Sequence, residues 1–568
     1  MTSNAVPSSP SSDVSTAAPP SRSGGRVLVD ALRIHGVDRV FCVPGESFLD
    51  VLDALYDQPR IDLVVCKHEG AAANMAEADG KLTGRPGICI VTRGPGATHA
   101  SIGVHIAAQD STPMILFVGQ IAREHKGREA FQEVDYAAMF GGMAKWAAEI
   151  DDPARIPEFV ARAFQCATSG RPGPVVLALP EDVLDGQCVC ADAAPYRPVA
   201  AAPGLDAGPA LAAMLEAAER PLVIAGGANW SDTAAARFAD FVRAWHLPVA
   251  CAFRRQDVFD NRDAHYIGHL SLGMNPKLAQ RVREADLIVA FGTRLGDIAT
   301  DGYTLLEPPR PRQRLVHIHA DSAELGRVYQ ADLPIHSGVE AGAAMLAGLR
   351  PADGKAPRWS AWTEGGRADH LAFAAPPPPH PDQQGVDLAS VMSQLECVLP
   401  DDAILSNGAG NYTVWLHRFH AYRRPRTELA PTCGAMGYGL PAAIAAKLRH
   451  PERTVVCFAG DGCHLMYPQE LATAAAVGAN VVVVLANNGM YGTIRMHQEK
   501  RYPGRVSGTA IDNPDFVAMA RACGAWAERI DHADAFGDAF ARALDAGRPA
   551  LIELRTDPRQ ITPAMRLP

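Results

Sequence analysis

The 568-residue sequence has no apolar run long enough for a membrane-spanning helix, no signal-peptide core and no surplus of positive charge. The first two absences argue against an integral helical membrane protein and make the cytoplasm the expected compartment. A formal net charge of −10 argues against a nucleic-acid partner or an anionic membrane surface. Small anionic substrates would then need local positive charge. The twelve cysteines also lack metal-site spacing. Cys188 and Cys190 form a CxC with no second Cys or His pair nearby, and Cys42, Cys66, Cys89 and Cys457 fall inside apolar strand patterns, where reduced, buried thiols are expected.

What the chain does contain is ordinary for a soluble enzyme: 48% hydrophobic and 20% charged residues. Its length exceeds one core and predicts about three domains. Residues 1–24, rich in Ser, Pro and Ala, read as a disordered tail. From 25 to 195 helices and strands alternate, with strands expected at Val40–Val43, Leu63–Cys66, Ile88–Thr92, Met114–Val118 and Val175–Leu179. The alternation repeats over 204–350. Residues 351–385, with four prolines at Pro376–Pro379, read as an extended linker, and 386–568 forms the last domain. The fold class that follows is α/β, with three doubly wound, Rossmann-like parallel-sheet domains.

The stretch around which the chain is organised is Gly460-Asp461-Gly462, followed by Asn487-Asn488. It lies between two buried-strand patterns, RTVVCFA and NVVVVLA, joined by the helical QELATAAAV, so the segment reads as one βαβ unit. Ligands collect beyond the carboxyl ends of such strands. There, Asp461 and Asn488 can offer hard oxygen ligands to Mg²⁺, while Gly460 and Gly462 let the backbone approach a diphosphate. A lone GDG would be a turn; the paired Asn and the strand placement favour a cofactor site.

GDG with a downstream NN resembles the metal and diphosphate motif of thiamine diphosphate enzymes, and by motif order the chain is most similar to the acetohydroxyacid (acetolactate) synthase large-subunit family. The resemblance implies pyrimidine-binding, central and diphosphate-binding domains in that order. It implies that Glu69, in KHEGAAANMAEA, hydrogen-bonds N1′ of the aminopyrimidine and drives formation of its imino tautomer. RGPGATH (93–99) resembles the family's GPGATN loop, Gly119-Gln120 a GQ pair lining the active site, and AFQE (130–133) a stretch whose Phe, here Phe131, reaches the substrate. Gly408, Ala409, Gly410, Asn411 and Tyr412 occupy a diphosphate loop, with Asn411 and Tyr412 replacing a Gln-His pair. Met436 would wedge between the two cofactor rings and the Gly434 carbonyl would accept from the 4′-amino group. Asp461, Asn488 and the Met490 carbonyl would ligate Mg²⁺, with Cys463, Tyr491 and Gly492 beside the cofactor. In relatives the central domain holds FAD, another adenine nucleotide or nothing, so FAD is one candidate occupant. A homodimer or homotetramer with shared sites is implied; a regulatory subunit is left open.

Three synthase specificity positions differ. Ile298 stands at an Arg that grips the second substrate's carboxylate, His497 at a Trp and Glu181 at a Lys. Glu46, after the first strand, replaces a Gly; a carboxyl there, its pKa raised by burial, could hand a proton to the product. The reading is a thiamine diphosphate- and Mg²⁺-dependent enzyme that decarboxylates a small 2-oxo acid and ligates the remainder to a carbonyl acceptor. A simple decarboxylase or C–C lyase is the alternative, and a non-catalytic scaffold is disfavoured because Glu69, Asp461, Asn488 and Met436 are all present.

Overall fold

Runs such as MILFVGQ (Met114–Gln120) and PVVLALP (Pro174–Pro180) are buried at every position, which requires helices over both faces of the sheet they form. In the computed structural model, which describes residues 20–351 and 357–567, they sit inside the first of three six-stranded sheets. Its spatial order is Asp62–Val65, Arg39–Cys42, Gly87–Val91, Met114–Gln120, Pro174–Pro180, Trp146–Glu149, all parallel. Numbered along the chain this is 2-1-3-4-6-5. The third sheet repeats it with Glu428–Leu429, Ile404–Asn407, Val455–Gly460, Val482–Asn487, Ala550–Arg555 and Trp526–Ile530. The middle sheet differs. Its order, Tyr266–His269, Val249–Cys251, Pro221–Ala225, Leu287–Phe291, Arg314–His319, Leu333–His336, is 3-2-1-4-5-6, the arrangement of dinucleotide-binding Rossmann sheets.

The outer domains share one core. Helix Glu69–Thr83 packs against helix Gly439–Arg449, and apolar side chains of both belong to a single buried cluster. Across this seam Arg449 pairs with Asp79 at 2.8 Å, and Tyr438 donates to Glu77 at 2.5 Å. Asp110 is buried against Lys81, Thr432 and the Arg255 region; burial alone would raise its pKa, but Lys81 and Arg255 hold it below its ordinary value. On the other side, Glu428 accepts from the Gln256 amide at 2.6 Å. Burial, with Asp257 beside it, pushes the Glu428 carboxyl up to about 8.

Two sequence expectations are corrected. Residues 1–19 of the expected tail lie outside the described residues, but the rest of it is ordered. Arg22–Ser23 pairs antiparallel with Gln187–Cys188, and helix Gly24–Ile34 begins inside the tail, capped by Ser23. Arg22 binds Asp30 and Asp192, each at 2.8 Å, so charge pairing and capping supply what apolar content does not. The expected extended linker contains helix Ser360–Ala374. It is anchored by the buried Trp359, whose Nε1 donates to the Trp245 carbonyl at 3.1 Å, and by Gly366, where a Cβ would meet Ile267 at 2.8 Å.

Candidate active site

In a 2-1-3-4 sheet the crevice opens at the carboxyl edge between strands 1 and 3. In the first sheet these are Arg39–Cys42 and Gly87–Val91, and the loops leaving them interlock. A Cβ on Gly45 would sit 2.4 Å from Thr92 Cβ, and the Ser47 and Thr92 hydroxyls are 2.9 Å apart. This closeness brings Glu46 to the buried Arg93 at 3.2 Å, and Glu181 meets the same guanidinium at 3.2 Å. The expected burial of Glu46 is therefore corrected: its side chain is 61% exposed and ion-paired.

Glu69 opens helix Glu69–Thr83, with His68 as its N-cap accepting from the Gly70 amide at 3.0 Å. Its Oε2 lies 2.9 Å from His99 Nδ1, and the His68 and His99 rings stack at 4.6 Å. Gln120, expected to line the site, is buried, with its amide committed to the Val134 carbonyl and the Ile121 amide. The neighbouring AFQE stretch offers a group that sequence reasoning passed over: Gln132 has φ 64°, packs on Gly94 of the glycine-rich loop, and keeps Oε1 buried without a partner. Its position in the quoted motif was the available signal. Phe131 is 76% exposed.

The third sheet has the same crevice between Ile404–Asn407 and Val455–Gly460. Asp461 begins a short helix there and is buried. Its Oδ1 accepts from Gly462 N at 2.9 Å, and its Oδ2 from Gly489 N and Asn513 Nδ2, each at 2.8 Å. Burial pushes this carboxyl up despite those donors. Among the described residues no cation pairs with it. Asn488 Oδ1 accepts from the Met490 amide at 3.2 Å, and the Met490 carbonyl from Gly492 N at 2.9 Å, each leaving acceptor capacity. Asn513 gave no sequence signal, because it stands outside both motifs.

Glycines keep these loops close. A Cβ on Gly460 would meet the Tyr412 ring at 2.7 Å, one on Gly462 the Tyr491 ring at 2.7 Å, and one on Gly408 the Cys463 sulfur at 2.4 Å. The Tyr412 hydroxyl accepts from Gly408 N at 3.0 Å and reaches Cys463 at 3.2 Å, and Cys463 also accepts from Gly437 N. Tyr412 and Cys463 thus brace the loop from beneath. Asn411 accepts from Thr493 at 2.9 Å. Met436 is half-buried against the third core, and Gly434 holds φ 71°.

A cavity of about 770 Å³ joins the three domains. Ala409, Gly410, Asn411 and Gly434 of the third domain line it, together with Gly227 and Gly292 of the middle domain. Gly227 and Gly292 follow strands 1 and 4 of the middle sheet, its switch point. A Cβ on Gly227 would fall 1.9 Å from the Gly292 carbonyl, so only glycine permits this approach.

Three family models match the chain in the order of its sheets: the N-terminal thiamine pyrophosphate (TPP) binding domain of thiamine pyrophosphate enzymes over 22–139, their central domain over 209–346, and their C-terminal TPP binding domain over 408–554. The acetolactate synthase large subunit of Parasynechococcus marenigrum (strain WH8102) is 34% identical over 552 residues, covering 94% of this chain and 88% of that protein. The isozyme 2 large subunit of Escherichia coli (strain K12) is 30% identical, covering 94% and 96%. The chain belongs to the acetolactate synthase large-subunit family of thiamine pyrophosphate enzymes.

In this acetolactate synthase-like, thiamine diphosphate-dependent enzyme, the residues that depart from the family pattern have definite places. Ile298 lines the central cavity beside Asp297, and Arg294 from the same loop donates to the Gln109 carbonyl at 3.3 Å. His497 is exposed on helix Gly492–Arg501. Glu181 is the second carboxylate on Arg93.

Proposed function

We propose that the protein decarboxylates a small 2-oxo acid and ligates the remaining unit to a carbonyl acceptor, using thiamine diphosphate anchored through Mg²⁺. The observation that carries the reading is Asp461: a buried carboxylate satisfied only by neutral donors asks for a cation, and it sits among glycines where the backbone can approach a diphosphate. Asp461, Asn488 and the Met490 carbonyl would hold the metal, with Gly408–Asn411, Gly460, Gly462 and Gly492 around the diphosphate. Met436 and Gly434 would support the rings. Bound thiamine diphosphate supplies a nucleophilic carbon and accepts the electron pair left when CO₂ departs.

Glu69 holds or releases a proton opposite the pyrimidine. Gln132, with its unpartnered oxygen on the glycine-rich loop, orients substrate. Phe131 and His497 are exposed in the single chain, which supports a second chain covering them and completing the site in a homodimer or tetramer. The dinucleotide-type order of the middle sheet, its close glycine pair and the volume of the cavity favour FAD there.

A neutral carbonyl is the preferred acceptor. Ile298 offers no guanidinium to a second carboxylate, and Arg93 is already shared by Glu46 and Glu181. The test is a mass-spectrometric product screen across 2-oxo acids with and without aldehyde acceptors. Coupled products are expected. Aldehyde alone from every donor would favour simple decarboxylation, and no CO₂ release from any donor would refute the reading.

A further inference from the structure

We infer that His99 is the group through which the Glu69 carboxylate exchanges its proton with solvent. The inference rests on Glu69 being the carboxylate opposite the pyrimidine. His99 Nδ1 is 2.9 Å from Glu69 Oε2, and the two side chains differ in exposure, 51% for His99 against 15% for Glu69. In the single chain a carboxylate that is nearly covered, and would be covered further by a bound ring, thus has a more open partner beside it.

The surroundings leave His99 as the carrier. The neighbouring His68 has its Nδ1 occupied by the Gly70 amide, and burial, reinforced by His99 and opposed by Glu69, lowers its pKa. Tyr467, from the third domain, tilts against His68 at 5.1 Å. The thiol of Cys89, close enough to feel the Glu69 charge, is buried and pushed up. Thr98 and Ser101 on the same helix bond to their own backbone. Where the family's loop reads GPGATN, this chain reads GPGATH. An Asn can hydrogen-bond Glu69 but cannot ferry a proton; an imidazole can do both near neutral pH.

The transfer balances without a co-reactant. A buffer acid protonates His99 Nε2, the imidazolium passes its Nδ1 proton to Glu69 Oε2, and the ring is left neutral with its proton on Nε2. The reverse sequence returns the proton to solvent and restores the first tautomer. His99 is therefore a positioning and relay residue acting through Glu69.

The test compares wild type, His99→Asn, His99→Gln and Glu69→Gln. The first readout is exchange of the C2 proton of bound thiamine diphosphate in D₂O, followed by NMR after acid quench. In His99→Asn it should slow by about a hundredfold at low buffer, the lower end of general acid–base effects, and recover as imidazole is added, while wild type is indifferent to imidazole. The second is the number of protons taken up when thiamine diphosphate and Mg²⁺ bind the apo-protein, from calorimetry in buffers of different ionisation heat. The count in wild type should differ from that in both His99 variants, which share with it the titration of the diphosphate itself. Wild-type exchange in His99→Asn and His99→Gln overturns the relay. So does slow exchange that imidazole does not rescue with an unchanged proton count, since that marks a purely structural contact. Wild-type exchange in Glu69→Gln would instead overturn the reading of Glu69 itself.

Discussion

Replacing Asp461 by Ala removes a buried carboxylate at the third crevice, and its effect can be worked from its contacts. In the free protein three neutral donors, Gly462 N, Gly489 N and Asn513 Nδ2, lose their acceptor. Each hydrogen bond to a charged group contributes about 1.5–3 kcal/mol. Opposing this, the variant no longer buries a charge without a cation, a strain that the raised pKa of Asp461 reports. The two effects oppose one another, so the melt of the free variant sets the baseline against which its ligand-induced shift is read. The bound state behaves differently. A ligand at a hundredfold excess over its Kd stabilises the fold by about 2.7 kcal/mol. For a unit of 150–250 residues that corresponds to a rise in melting temperature of roughly 5–10 °C. Thermal melts of wild type with thiamine diphosphate and Mg²⁺ together should show this rise, and neither component alone should reproduce it. Asp461→Ala should show none at the same concentrations. A normal ligand-induced shift in the variant would refute the assignment of Asp461 as the anchor.

Other outcomes follow from the same geometry. Glu69→Gln should bind thiamine diphosphate within a fewfold of wild type yet lose turnover by at least about a hundredfold; equal loss of binding, read by calorimetry, would contradict a role confined to proton movement. Glu46→Gly frees one side of Arg93, leaving a guanidinium held by Glu181 alone, and should shift products from pyruvate toward acetolactate; an unchanged product ratio counts against the electrostatic account. Glu428 is pushed up to about 8 from an ordinary 4.5. Between those values the folded state keeps a proton that the unfolded chain has released, so stability falls as pH rises from about 4.5 to 8, by at most about 1.4 kcal/mol per unit. Glu428→Gln should flatten that decline in melts at pH 6 and 8, and an identical decline in both proteins would show that the slope arises elsewhere.

The sequence was most informative where one residue type had one physical reason. Fully buried strands such as Val455–Gly460 and the helix following His68 were legible from apolar runs and small-residue composition. Trp146–Glu149 was not, because this edge strand is half-buried along its length and carries no pattern. Helix Ser360–Ala374 contains two glycines among flanking prolines, and its stability comes from Trp359 and Trp362 docking on the middle domain, which composition does not reveal. At the site, motif residues fell at the two expected crevices. Their hydrogen bonds were not legible: Gln120, at the end of its strand, bonds the Val134 carbonyl and the Ile121 amide, and Tyr412 bonds the Gly408 amide and Cys463. The triad of Glu46, Arg93 and Glu181 and the approach of Asn513 to Asp461 depend on strand order, which brings together residues that the chain keeps far apart.

The repeated 2-1-3-4-6-5 order has a further consequence. Helices Glu69–Thr83 and Gly439–Arg449 each follow the second strand of their own sheet, and they pack on one another. Topologically equivalent elements therefore pack against each other, like on like, as in an isologous contact between two identical subunits. The seam is built from helix faces, whereas Glu69 and Asp461 stand at the carboxyl edges of the two sheets. Residues at those edges can therefore differ between the two halves without disturbing the packing that joins them.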